Sequence, residues 1–146
     1  MSKKLVKQGR YIMNASPICG TNGLGTCVGL AVYHGKWFIA HIDCEAIVKS
    51  KTDPMYEKVM NYVTRRLHTL LGPCGSPSVH IIGGLSDFSA WAIKDGIVMW
   101  VQDTAEINYD EWDGFEILET GKFQRLKHEA NNIEGDGDFT VPENPA

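Results

Sequence analysis

Apolar positions along this chain fall mostly into short runs rich in β-branched and aromatic residues. Residues 11–13, 28–33, 37–42, 78–82, 97–102, 105–109, 115–118 and 123–126 read as strands, punctuated by Gly, Pro, Asn and Ser. One long stretch has helical spacing instead. Between Asp53 and Gly72 the residues Tyr56, Val59, Met60, Val63, Leu67, Leu70 and Leu71 recur on one face. Asp53 can cap the first free amides, Pro54 suits the first helical position, and Gly72-Pro73 closes the end. Arg65, Arg66 and His68 suit the C-terminal half through the helix dipole. A shorter helix is expected from a Ser86 or Asp87 cap through Ile93.

The runs 28–33 and 37–42 are separated only by His34-Gly35-Lys36, which predicts a β-hairpin. With Gly35 central in a three-residue loop, Tyr33 pairs with Trp37 and Gly29 with His41. Side chains alternate between faces, so Cys27 and His41 then share a face as diagonal neighbours. A two-residue loop would separate them. Gly29, opposite His41, is expected to leave the imidazole room. Residues 14–25 are rich in Ser, Pro, Gly, Thr and Asn and read as a loop.

At 146 residues the chain fits one domain. That domain is expected over 1–127, followed by a polar, flexible and poorly ordered tail over 128–146. Asp136 and Asp138 in that tail lack the downstream ligands of a calcium loop. The net charge of -4 argues against a general nucleic-acid binder, and no apolar run is long enough to span a bilayer. Four cysteines occur without a signal-peptide pattern, without CxxC and without zinc spacing. Free thiols, no cofactor, and a cytoplasmic location or delivery to a host cytosol without a cleaved signal are the resulting expectations.

The candidate chemistry centres on Thr21-Asn22-Gly23-Leu24-Gly25-Thr26-Cys27 and on His41, fourteen residues after Cys27. An ordinary thiol is only about 3% thiolate at neutral pH, so a nucleophilic cysteine needs a base. His41 can take the thiol proton and later protonate a departing nitrogen. The amides around Gly25 and Thr26 can converge on an oxyanion. Thr21 or Asp43 can orient the ring through its other nitrogen. Cys19, Cys44 and Cys74 are alternative thiols. His34, His68, His80 and His128 show no partner pattern. A cysteine beside an apolar strand can equally be a core residue, and the glycines lack the GK[ST] ending of a phosphate loop.

Thr21, the Gly-Leu-Gly-Thr-Cys loop and Ala40-His41-Ile42 together resemble the Cys-His deamidase superfamily. That group includes the chemoreceptor glutamine deamidase and the cytotoxic necrotizing factor and lethal-factor-type deamidase toxins. The Thr120-Gly121 turn is similar to the chemoreceptor enzyme's C-terminal hairpin. Thr26-Cys27, His41-x-Asp43 and the His80-to-Asp87 block also resemble protein N-terminal asparagine amidohydrolase. The resemblance implies an α+β fold, a β-sandwich of mixed sheets flanked by helices, with the Cys-His pair at one edge. It implies a protein amidohydrolase acting on a Gln or Asn side chain of a target protein, with Cys27, His41 and Thr21 as its catalytic set. A cysteine protease or transglutaminase using the same dyad, and a non-catalytic interaction module, are the other readings.

Overall fold

In a computed structural model of the chain, described over residues 4–75, 78–85, 87–127, 132–133 and 135–146, the short apolar runs assemble into two mixed sheets. The elements in order are β1 (Lys4–Val6), β2 (Arg10–Ala15), β3 (Cys19–Thr21), β4 (Val28–Tyr33), β5 (Trp37–Cys44), α1 (Pro54–Leu71), β6 (Ser78–Gly83) and α2 (Phe88–Val101). They continue with β7 (Glu106–Asp110), β8 (Phe115–Ile117), β9 (Phe123–Arg125), β10 (Asn132–Ile133), β11 (Gly137–Asp138) and β12 (Thr140–Val141). The larger sheet has seven strands, ordered β11-β2-β5-β4-β6-β7, and β12 also pairs with β5. The smaller has five, ordered β10-β1-β3-β8-β9. The fold is α+β, with mixed sheets flanked by helices.

Strand alternation divides the core in two. Val28, Leu30 and Val32 of β4 and Phe38, Ala40 and Ile42 of β5 face the helices, meeting Val59, Val63 and Leu67 of α1 and Ile93, Ile97 and Trp100 of α2. The opposite faces supply Ala31, Trp37 and Ile39, which pack on Val6, Cys19, Phe115 and Ile117 of the smaller sheet. Residues 29 and 41 belong to this second set by parity. The hairpin has the expected register, with Tyr33 opposite Trp37 and Gly29 opposite His41. In α1 the Asp53 carboxylate accepts the Met55 amide at 3.0 Å, and the Gly72 amide closes on the His68 carbonyl.

Several expectations are corrected. The stretch 97–102 is not a strand, because α2 runs unbroken through it to Val101. Gly96 lies where the two helices come close: a Cβ there would fall 2.5 Å from the Met60 carbonyl oxygen. The expected loop 14–25 contains β3, whose Gly20 leaves no room for a side chain against the Phe115 carbonyl. The space over Gly29 is not left to the imidazole; Leu24 and Phe115 fill it. Residues 135–146 of the expected tail pack against the rest of the fold. Phe139 and Val141 are fully buried, β11 pairs with β2, and β12 pairs with β5. Residues 128–131 and 134 of the expected tail, and the candidate cap Ser86, lie outside the described residues. No described helix is long and apolar enough to cross a membrane.

Candidate active site

Three elements meet at one end of the inter-sheet layer. β3 supplies Thr21, β5 supplies His41 and Asp43, and the turn before β4 supplies Cys27. Thr21 and His41 are buried, at 0% and 2% exposure. The Thr21 hydroxyl donates to the Val6 carbonyl at 2.8 Å, and its oxygen lies 2.8 Å from His41 Nδ1. A hydroxyl has one hydrogen, so Nδ1 carries the proton of the second bond and donates it to Thr21. The lone pair is thereby assigned to Nε2, a buried atom with no hydrogen-bond partner among the described residues. Burial pushes the imidazole pKa down to about 4, against a smaller opposing pull from Asp43. His41 is therefore a neutral, oriented base at neutral pH. Of the two candidates for orienting it, Thr21 makes the bond.

Cys27 closes a tight turn through its amide, which donates to the Leu24 carbonyl at 2.5 Å, with Gly25 in the left-handed region at φ +48°. The turn is anchored rather than loose. The Leu24 side chain is 1% exposed, its amide donates to the Asp113 carbonyl, and the Leu85 amide donates to the Gly25 carbonyl. Continuing the β4–β5 register one step beyond Val28–Ile42 sets Cys27 opposite Asp43. The Cys27 thiol donates to Asp43 Oδ1 at 3.5 Å. His41 and Asp43 project from one face, so the thiol lies on the imidazole's side of the sheet. Cys44, one position on, packs against the helix-side core instead and donates to the Ala46 carbonyl.

The roles of Asp43 and of the loop amides differ from expectation. Asp43 accepts from the Cys27 thiol, the Cys44 amide at 2.8 Å and the Gln8 side chain at 2.9 Å, and it makes no bond to His41. The Cys27 amide is committed to the turn, which removes it as an oxyanion donor. The exposed Thr26 amide makes no hydrogen bond among the described residues. Burial, then Asp43, Cys44 and Asp87, push the Cys27 thiol up to about 12. At rest the thiol and the imidazole are thus both neutral, and the thiol bonds to Asp43 and not to His41.

Gln8 and Asp87 were not singled out from sequence as site residues. Gln8 carries no local signal, since its contact spans thirty-five positions. Asp87 is legible as a helix cap, but its nearness to Cys27 depends on the Gly83-Gly84 turn. A Cβ on Gly83 would crowd Leu24 and the Cys27 carbonyl. Thiol acidity does not separate the four cysteines, since Cys19 and Cys27 both reach about 12 and Cys44 about 11. Position does: Cys19 is fully buried, Cys44 packs on the helix-side core and Cys74 is buried in it. His80 stacks on Phe123 with centroids 4.0 Å apart, and its Nε2 meets Ser78. His128 lies outside the described residues.

Two clefts, of about 570 and 680 Å³, open at the far end of the sandwich around Tyr33, Gly35 and Trp37. Neither includes Cys27 or His41. At ~3.3 Å per residue, the six positions from Cys27 to Tyr33 span about 20 Å. Among the described residues no cluster of His, Cys, Asp and Glu could hold a metal ion. Comparison of the chain with protein-family models and with curated protein sequences gives no match.

Proposed function

We propose that this chain is a protein amidohydrolase that converts a Gln or Asn side-chain amide of a target protein to the acid. One observation carries the reading. A buried histidine has one ring nitrogen committed to Thr21 and the other unpartnered among the described residues, on the face that also bears a half-buried thiol. His80 too leaves a buried ring nitrogen, Nδ1, without a partner among the described residues, so it is the thiol on the same face that sets His41 apart.

Because thiol and imidazole both rest neutral, attack proceeds by general base catalysis. As the Cys27 sulfur bonds to the carboxamide carbon, its proton passes to His41 Nε2. The Gly25 and Thr26 amides, neither of which donates a hydrogen bond among the described residues, are the loop donors left for the oxyanion. The tetrahedral intermediate collapses as Nε2 returns the proton to the nitrogen, ammonia departs, and a thioester remains. Water then attacks that carbonyl, giving its proton to Nε2, and the thiol leaves with a proton restored. Thr21 holds the ring in the required tautomer throughout, and Asp43 holds the resting thiol.

The test is incubation with a cell lysate followed by a proteome-wide search for Gln or Asn residues gaining about 1 Da. Cys27→Ser and His41→Ala should abolish the gain, and Thr21→Val should cut the rate roughly tenfold or more through loss of orientation. Deamidation retained by both Cys27→Ser and His41→Ala rejects the proposal. A cleaved substrate points instead to a protease, and an amine adduct to a transglutaminase.

The raised thiol pKa favours a second reading, in which Cys27 is an inert thiol in a binding module. Slow iodoacetamide labelling of native Cys27, with no preference over the other three thiols, would support it.

A further inference from the structure

The surface beside Cys27 combines exposed aromatic groups with carboxylates. The first turn of α2 exposes Phe88 and Trp91, packed edge to face at 5.2 Å between centroids. Leu85, just before the helix, is also exposed, and its amide bonds to Gly25 on the loop that carries the thiol. The apolar patch therefore begins at the nucleophile's own loop. The segment after β5 borders it: the Lys51 ammonium sits 5.2 Å from the Trp91 ring centroid, and Ile47 on the same segment is 73% exposed. Isolated exposed apolar residues need no explanation, but neighbouring ones next to a reactive group mark a contact surface.

Next to the thiol the charge has one sign, whereas Lys51 on the Trp91 ring and Lys94 beside Gly84 are cations of the outer rim. Asp43 meets the thiol at 3.5 Å, Asp87 caps α2 and acts on both Cys27 and Cys44, and Glu45 is exposed at the end of β5. Among the described residues every charged group acting on Cys27 is an anion or another thiol. That field opposes the negative charge that attack must develop. A cation brought by the substrate would reverse it locally. The Trp91 face already accommodates an alkylammonium, that of Lys51.

We propose that this acidic, aromatic rim docks a protein segment carrying a lysine or arginine side chain within a few residues of the target amide. The cation is set against the Asp87 and Asp43 carboxylates, and its apolar neighbours lie on Leu85, Phe88 and Trp91. The proposal rests on the amidohydrolase reading for the amide, but binding itself requires no turnover. Docking then does two things at once: it selects the substrate, and it supplies the positive charge that the thiol lacks at rest.

The experiment measures binding of peptides with blocked ends and a central Gln or Asn to the Cys27→Ala protein. The peptides carry arginine-leucine, citrulline-leucine or glutamate-leucine beside the amide, citrulline being a neutral isostere of arginine. The arginine peptide should bind about tenfold tighter than the citrulline one, with the glutamate peptide weakest. Asp87→Asn keeps a capping oxygen and should remove most of that preference, whereas Trp91→Ala should weaken the arginine and citrulline peptides together. Equal binding of arginine and citrulline peptides overturns the proposal. So does no measurable binding, a preference untouched by Asp87→Asn, or one that appears only with a free α-amino group. The two readings fail separately. Charge-selective binding without deamidation by the wild type removes the chemistry, and deamidation without charge preference removes the rim.

Discussion

His41 illustrates how one buried bond sets a residue's chemistry. The Thr21 hydroxyl is spent on the Val6 carbonyl, and this one-hydrogen constraint fixes the imidazole tautomer. Burial also ties the residue to stability. The folded-state pKa is about 4 against an ordinary 6.5, so between those values the unfolded chain binds a proton that the folded chain does not. The stabilisation is fully present above pH ~6.5 and is lost as pH falls towards 4, to the extent of about 3 kcal/mol. His80, lowered by burial too, adds in the same direction. Urea denaturation at several pH values should show wild type losing more stability than His41→Gln over this window. Parallel pH profiles would contradict the assigned burial. For the same reason, catalysis should persist well below pH 6.5, with its acid limb near 4.

At the scale of elements, the helix crossing makes a sharp prediction. Exposed glycine-to-alanine changes in helices gain up to about 1 kcal/mol. Gly96→Ala should instead destabilise by about 1–3 kcal/mol, because its Cβ would meet backbone at 2.5 Å and the Val63 side chain at 2.9 Å. A shifted urea midpoint checks this, and a stabilised variant would refute the close approach. The same position shows why sequence reading reached some elements and not others. The β4–β5 hairpin and α1 carry their instructions locally, in Gly35 and in Asp53-Pro54 and Gly72, and both stand as expected. The second half of α2 is apolar and β-branched even at exposed positions such as Met99, so its hydrophobic periodicity cannot separate helix from strand. β3 is made a strand by partners on β1 and β8, the latter about a hundred residues away, and nothing within 14–25 announces them. The candidate site divides similarly. Cys27 and His41 follow from hairpin register, whereas the bond of Asp43 to the thiol and the approach of Asp87 exist only in three dimensions.

For the molecule as a whole, the last described segment matters more than its polar composition implies. β2 covers the outer edge of β5 along its first half, and β12 covers the second half, opposite Asp43 and Cys44. The Asp43 amide donates to the Phe139 carbonyl at 3.2 Å and the Glu45 amide to the Val141 carbonyl at 2.8 Å. Phe139 is 1% exposed, so Phe139→Ala should cost about 3–5 kcal/mol, seen as a clear fall in thermal midpoint. A variant as stable as wild type would show that the segment merely rests on the core. This clasp also orders events during synthesis. Thr21, Cys27, His41 and Asp43 are among the first third of the chain to be made, yet the strand that bears two of them stays open along its edge until residue 141 has been added. A growing chain therefore carries the four residues of the candidate site long before the strand that closes the edge beside Asp43 and Cys44 has been made.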